Sequence, residues 1–222
     1  MIIIGVAAAP AGGKSTVAAR LADLGATWIN ADRIAHEVLE MPAVSRGVIE
    51  YFGQGIVGPD GKIERHKLGK LVFGDDDASR AGLRYLESLI HPPTRRLILE
   101  RIEAARLGKS PAAVLDVPLL FENDWASVCD EIWFVDTHPE IQKQEANRRG
   151  WSAETLARRQ SRQLPLADKR RLSTRIIPNH GTLKDLTGHV DKLWRDCVIA
   201  SATDTSQLPL DTHCQPSKPR GH

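Results

Sequence analysis

The sequence predicts an α/β fold: a doubly wound parallel sheet in three layers, with a helical insertion and a helical lid. Three observations carry that expectation. The chain opens on a continuous, largely β-branched run, Ile2-Ile3-Ile4-Gly5-Val6, the pattern of a central parallel strand covered on both faces. A small-residue loop, a helical pattern and a second short strand follow at once. Between that strand and the next apolar run lies a long helical stretch, about residues 34–109, too much chain for an ordinary crossover.

The elements follow in order. After the loop Ala7 to Gly13, the stretch from Lys14 to Leu24 spaces Val17, Leu21 and Leu24 helically, and Gly25 is placed to end the helix. Trp28-Ile29 starts a second strand that runs out at Asn30-Ala31-Asp32. Within the insertion, Val44 to Phe52, Ser79 to Ile90 and Pro93 to Leu107 read as helices, and Pro59-Asp60-Gly61 reads as a turn. The sheet resumes at Ala113-Val114-Leu115, ending at Asp116, and again at Ile132-Trp133-Phe134-Val135. A basic region comes next: a helix from Ile141 to Arg149, a break at Gly150, and a second helix capped by Ser152 that runs to about Gln163. Arg175-Ile176-Ile177 reads as a last strand, and Leu183, Leu186, Val190, Leu193, Trp194, Cys197 and Val198 share one helical face. The expected organisation is one domain over 1–200, with a core of 1–33, 110–140 and 174–200, the insertion at about 34–109 and the lid at about 141–165. From 201 to 222 the chain is Ser/Thr/Pro-rich without apolar periodicity, and disorder is expected there.

Composition excludes several classes. With 41% hydrophobic and 26% charged residues, the 222-residue chain reads as globular. Lys and Arg total 30 against 28 acidic residues, and a net charge of +2 argues against a general nucleic-acid binder. The three cysteines, Cys129, Cys197 and Cys214, are widely spaced in no metal-ligand pattern, as for thiols in a reducing compartment. The apolar run Ile2 to Ala9 is far too short to span a bilayer and no basic region precedes it, so a cytoplasmic protein without a membrane partner is expected.

Chemistry concentrates in a few places. Ala8-Ala9-Pro10-Ala11-Gly12-Gly13-Lys14-Ser15-Thr16 lies between the first strand and the first helix. Small residues let successive backbone N–H groups turn onto phosphates, a Lys reaches the β and γ phosphates, and the adjacent hydroxyl suits Mg²⁺. The helix N-terminus adds partial positive charge. This is a P-loop in all but its first position, where Ala8 stands in place of glycine. Asp32, at the end of the second strand, is either a general base for an attacking hydroxyl or an N-cap. Asp116 either holds Mg²⁺, directly or through water, or simply terminates its strand before Val117-Pro118. Arg148, Arg149, Arg158, Arg159, Arg162, Lys169, Arg170 and Arg171 form a basic cluster, and Arg149, at a helix junction, is placed to neutralise a transferred phosphoryl group.

Taken together, these segments resemble the dephospho-coenzyme A kinase family from about Ile2 to Leu193. The resemblance is carried by Gly13-Lys14-Ser15-Thr16, Ala31-Asp32-x-Ile34-Ala35-His36, Phe52-Gly53, Asp60-Gly61-Lys62-Ile63-x-Arg65-x-x-Leu68-Gly69, Val72-Phe73, and His91-Pro92. It continues through Asp116-Val117-Pro118-Leu119-Leu120-Phe121-Glu122, Gln142 with Arg149, Gln163, and Ile177-x-Asn179-x-Gly181. The resemblance implies a P-loop kinase that uses ATP and Mg²⁺ to phosphorylate the ribose 3′-hydroxyl of dephospho-coenzyme A, the last step of coenzyme A synthesis. It implies Asp32 as base, and Lys14 and Arg149 in catalysis. ATP would be held by Ala11, Gly12, Gly13, Lys14, Ser15, Thr16 and Asn179, and metal by Ser15 and Asp116. Asp32, His36, Arg65, His91 and Asp116 would lie on the acceptor side. A monomer is expected, with a small homo-oligomer as the alternative. The family pattern has glycine where this chain has Ala8, Ala9 and Ala11, an aliphatic residue at Pro10, Asp at Asn30, and a second lid Arg at Glu145. Two other readings compete: a P-loop kinase for nucleosides or nucleotides, and a weakened coenzyme A- or ATP-binding protein.

Overall fold

The computed structural model describes residues 1–74 and 76–200, and the tail expected to be disordered falls outside them. Strand β1 (Ile2–Ala8) sits in the middle of a five-stranded, wholly parallel sheet. It pairs with β3 (Ala112–Asp116) on one side and β4 (Glu131–Thr137) on the other. The edges are β2 (Thr27–Asn30) beside β3 and β5 (Arg175–Asn179) beside β4. From β1 the chain crosses toward the β2 edge, whereas from β3 it crosses back toward β4. The crevice between the carboxyl ends of β1 and β3 is therefore left open by the helices, and ligands bind at such a point in doubly wound sheets.

Alternation along the strands explains the continuous apolar runs. Ile3 and Ala7 join Ala113, Leu115, Ile132 and Phe134 on one face, while Ile4, Val6 and Ala8 join Ala112, Val114, Trp133 and Val135 on the other. Helices α1 (Lys14–Asp23) and α9 (Leu183–Trp194) cover the second face with Val17, Leu21, Leu186, Val190 and Trp194. A bidentate bond from Arg20 to Asp191, at 2.7 and 2.9 Å, ties these two helices together. The first face is covered by α2 (Ala31–Leu39), α3 (Pro42–Phe52), α4 (Arg65–Val72) and α5 (Asp77–Leu107), through Ile34, Val38, Val48, Leu68, Ile98 and Ile102. Gly5 is required here: a Cβ would lie 2.7 Å from both Cys129 Sγ and Leu120 Cδ1, where the segment after β3 crosses the sheet.

Several expectations are corrected. The helices expected over Ser79–Ile90 and Pro93–Leu107 are one helix, α5, running straight through Pro92 and Pro93. Two backbone donors are lost there, yet Leu86, Leu89 and Ile90 before the prolines and Leu97, Ile98 and Ile102 after them pack into the same cluster. Tertiary packing outweighs the local propensity. Asp32 does not end a strand: β2 stops at Asn30, and Asp32 lies in the first turn of α2. After Trp194 the last helix continues as a π turn, Arg195–Ile199, which keeps Cys197 and Val198 buried. The basic region folds as α6 (Pro139–Arg148), α7 (Ala153–Ser161) and α8 (Leu166–Leu172), the last not anticipated from the sequence. Ser152 caps α7 by accepting from Thr155 N at 3.1 Å, and Gly150 turns the chain at φ 71. Among the described residues, no helix is long and apolar enough to cross a membrane.

Candidate active site

The loop from Ala8 to Gly13 joins β1 to α1, and its geometry discriminates among its small residues. Gly12 N donates to Ala9 O at 2.9 Å, and a Cβ on Gly12 would approach that oxygen to 2.7 Å. Gly13 stands at φ 81. Ala8 lies in β1 outside the left-handed region, whereas Ala11 is held at φ 58. The loop is braced from behind: Gln142 Nε2 donates to Pro10 O at 2.7 Å, and Thr137 Oγ1 donates to Gly12 O at 2.8 Å. Asn179 Nδ2 in turn donates to Thr137 Oγ1 at 3.2 Å. Asn179 is buried in this brace and does not line the cavity over the loop.

Lys14 Nζ lies 3.0 Å from Asp116 Oδ1. The other carboxylate oxygen of the buried Asp116 accepts from Asn30 Nδ2 at 2.9 Å and Trp28 Nε1 at 3.3 Å. Asn30 also accepts from Arg33 N at 2.9 Å, so it is the N-cap of α2. That answers the cap reading of Asp32: the capping position belongs to Asn30, and the Asp32 carboxylate is left exposed within the first turn.

Two cavities meet at Asp32. One, of about 690 Å³, is walled largely by apolar groups of α2, α5 and the segment after β3, with Glu87, His91 and Arg95 among its lining. The other, of about 570 Å³, contains the loop, Lys14, Ser15 and Asp116, and is faced by Arg149, Trp151, Arg158, Arg159, Arg162 and Gln163. Asp32, Pro118 and Leu119 belong to both walls. Thr16, His36 and Arg65 line neither, although His36 feels its neighbours: burial and the Arg65 charge hold its pKa below the usual imidazole value, against the opposing pull of Asp32.

Helices α6 to α8 carry their own electrostatics. Glu145 accepts from Arg148 Nε and from Arg149 Nε, each at 2.7 Å, and these bonds, Arg148 first, pull its pKa down to about 2. Lys169, almost wholly buried, donates to Gln163 Oε1 at 2.6 Å and lies 3.7 Å from Glu122 Oε1. Burial lowers its pKa, and the nearby Lys14 charge acts in the same direction, while Glu122 opposes them. Glu122 also accepts from Leu164 N at 2.6 Å. The sequence does not show this network, nor Phe73 and Trp151 as cavity walls, since isolated aromatics carry no signal; Arg158, Arg159 and Arg162 stand in the basic cluster, from which the sequence singles out only Arg149.

Among the described residues, no group of three or more His, Cys, Asp or Glu side chains could hold a metal. A cation that takes few protein oxygens and completes its shell with water and phosphate, as Mg²⁺ does, fits the Ser15 hydroxyl and the Asp116 carboxylate. Both Asp116 oxygens are already engaged, which favours contact through water.

The family model described as dephospho-CoA kinase matches residues 2–185. A dephospho-CoA kinase of Rhodopirellula baltica is 44% identical over 184 residues, covering 83% of this chain and 85% of that protein. One from Symbiobacterium thermophilum is 41% identical over 198 residues, covering 88% and 81%. Among solved structures, dephospho-CoA kinase from Campylobacter jejuni superposes with a TM-score of 0.68 at 25% identity, covering 90% of this chain and 98% of that one.

Proposed function

The chain belongs to the dephospho-CoA kinase family, and on that premise we propose how its own residues transfer the γ-phosphoryl group of ATP to the ribose 3′-hydroxyl of dephospho-coenzyme A. The observation that carries this reading is the position of Asp32 on the wall shared by the loop cavity and the apolar cavity.

ATP lies with its phosphates over the loop, where the backbone N–H groups from Ala11 to Thr16 and the N-terminus of α1 meet the anionic oxygens. Lys14, held beside Asp116, reaches the β and γ phosphates. Ser15, and Asp116 through water, would hold Mg²⁺, which would neutralise charge on the phosphate oxygens. The acceptor occupies the apolar cavity of the helical insertion, about 34–109, with its flexible arm against α5 and His91, and with His36 and Arg65 nearby. Its 3′-oxygen attacks the γ phosphorus, the bond to the β–γ bridging oxygen breaks, and ADP leaves. Asp32 takes the hydroxyl proton as the new bond forms. Arg149 and its neighbours in the lid, about 141–165, neutralise the charge that spreads over the transferred group and exclude water. Asn179 serves ATP from behind, through Thr137 and the loop. The enzyme acts as a monomer in the cytoplasm, where Cys129 and Cys197 remain thiols.

The test is Asp32→Asn. Turnover should fall by about 100-fold or more, because a base acts in the transition state, while the ATP dissociation constant stays within about twofold. Equal turnover in the two proteins sinks the assignment of Asp32. Dephospho-coenzyme A should also outpace every nucleoside and nucleoside monophosphate as acceptor, and the reverse ranking points to the nucleoside-kinase reading.

A further inference from the structure

We propose that Trp151 is a positioning residue for this reaction: its indole gathers Arg149 and Arg159 over the phosphate-binding loop. The proposal rests on ATP occupying the loop cavity as described above. The Arg159 guanidinium carbon lies 4.3 Å from the Trp151 ring centroid and that of Arg149 lies 5.5 Å away. All three side chains face the same cavity as Lys14.

The backbone fixes the ring in place. Gly150 adopts φ 71, which ends α6, and Trp151 N then donates to Ala146 O at 2.9 Å. The ring therefore stands at the junction of α6, whose C-cap is Arg149, and α7, which supplies Arg159. Helix α7 contributes no buried residue, so little apolar packing holds Arg159 where it is.

The kind of contact matters. A cation over an aromatic face is attracted by the negative face of the ring. That contact leaves the guanidinium N–H donors, which lie in the plane of the group, available to phosphate oxygens. A carboxylate partner would consume those donors. Glu145 takes only Nε of Arg149.

The experiment compares Trp151→Leu, Trp151→Phe, Arg159→Met and the Leu/Met double variant. ATP affinity is read by calorimetry, turnover is read separately, and thermal unfolding serves as the control on folding. Trp151→Leu should lose about tenfold in turnover and about threefold or more in ATP affinity, the size of one good cation–π contact. Trp151→Phe should stay within about threefold of wild type, and Trp151→Leu should cost clearly less in the Arg159→Met background than in wild type, because only the Arg149 contact is then left to lose. Additive losses overturn the proposal, as does a Phe variant as impaired as the Leu variant. If the Leu variant does not fold, Trp151→Met takes its place in the same comparison. The calorimetric arm needs no acceptor, so it decides the role of Trp151 even if dephospho-coenzyme A proves the wrong substrate.

Discussion

Ala11 holds a left-handed backbone, φ 58, beside two glycines that have clear reasons to be glycine. An L side chain there costs about 1 kcal/mol, so Ala11→Gly should raise unfolding free energy by about that amount in a denaturant titration. Ala8→Gly should do the opposite, losing about 0.5–1 kcal/mol, because Ala8 closes the central strand with no left-handed geometry to relieve. Equal signs for the two changes would refute the strain argument. The sequence showed three alanines where glycine is usual but not which one carries left-handed geometry, since φ depends on how the loop closes between β1 and α1. Glu145 makes a second residue-scale prediction. Its folded-state pKa is depressed from 4.5 to about 2, chiefly by Arg148. The stabilising contribution is therefore complete above about pH 4.5 and is lost as pH falls toward 2. Hydrogen-exchange protection at the α6–α7 junction, measured against the intrinsic rate at each pH, should fall across that window, and Glu145→Gln should abolish that fall.

Among the elements, the strands and the first helix were legible because their patterns are local: a β-branched run, a loop of small residues, a 3.6-residue period. Helix α5 was not, because what keeps it whole across Pro92 and Pro93 is the shared core on its far side. The lid illustrates the same limit. Its two main helices and the Ser152 cap could be read directly, but the attachment of α8 through Lys169 joins residues far apart in the chain. Lys169→Met removes the cation while keeping the bulk, leaving Gln163 Oε1 without its donor and Glu122 without its counter-charge. A loss of about 3 kcal/mol is expected, together with faster hydrogen exchange across 153–172. Unchanged exchange there would show that α8 is held by its apolar contacts alone.

Across the whole molecule, the sheet has two dry faces with different duties. One is closed by α1 and α9 and braces the loop strand; the other is roofed by α2 to α5, which also wall the apolar cavity. The loop, Lys14, Asp32, Asp116 and Arg149 were expected together from the sequence, and one cavity gathers them. Walls drawn from many elements, such as Arg158, Arg159, Arg162 and Phe73, become visible only once the chain has folded around the crevice. On the proposed assignment donor and acceptor take separate cavities, so neither must leave before the other arrives. Initial-rate lines at several fixed acceptor concentrations should therefore intersect, and parallel lines would contradict the two-cavity arrangement.

The shared wall at Asp32, Pro118 and Leu119 has a practical corollary. A single molecule with an adenosine polyphosphate at one end and a pantetheine-like arm at the other could occupy both chambers at once. Anchoring either end would present the other at a high local concentration, so the joined compound should bind far more tightly than its halves. The length of the tether that works best would then serve as a molecular ruler for the distance across Asp32.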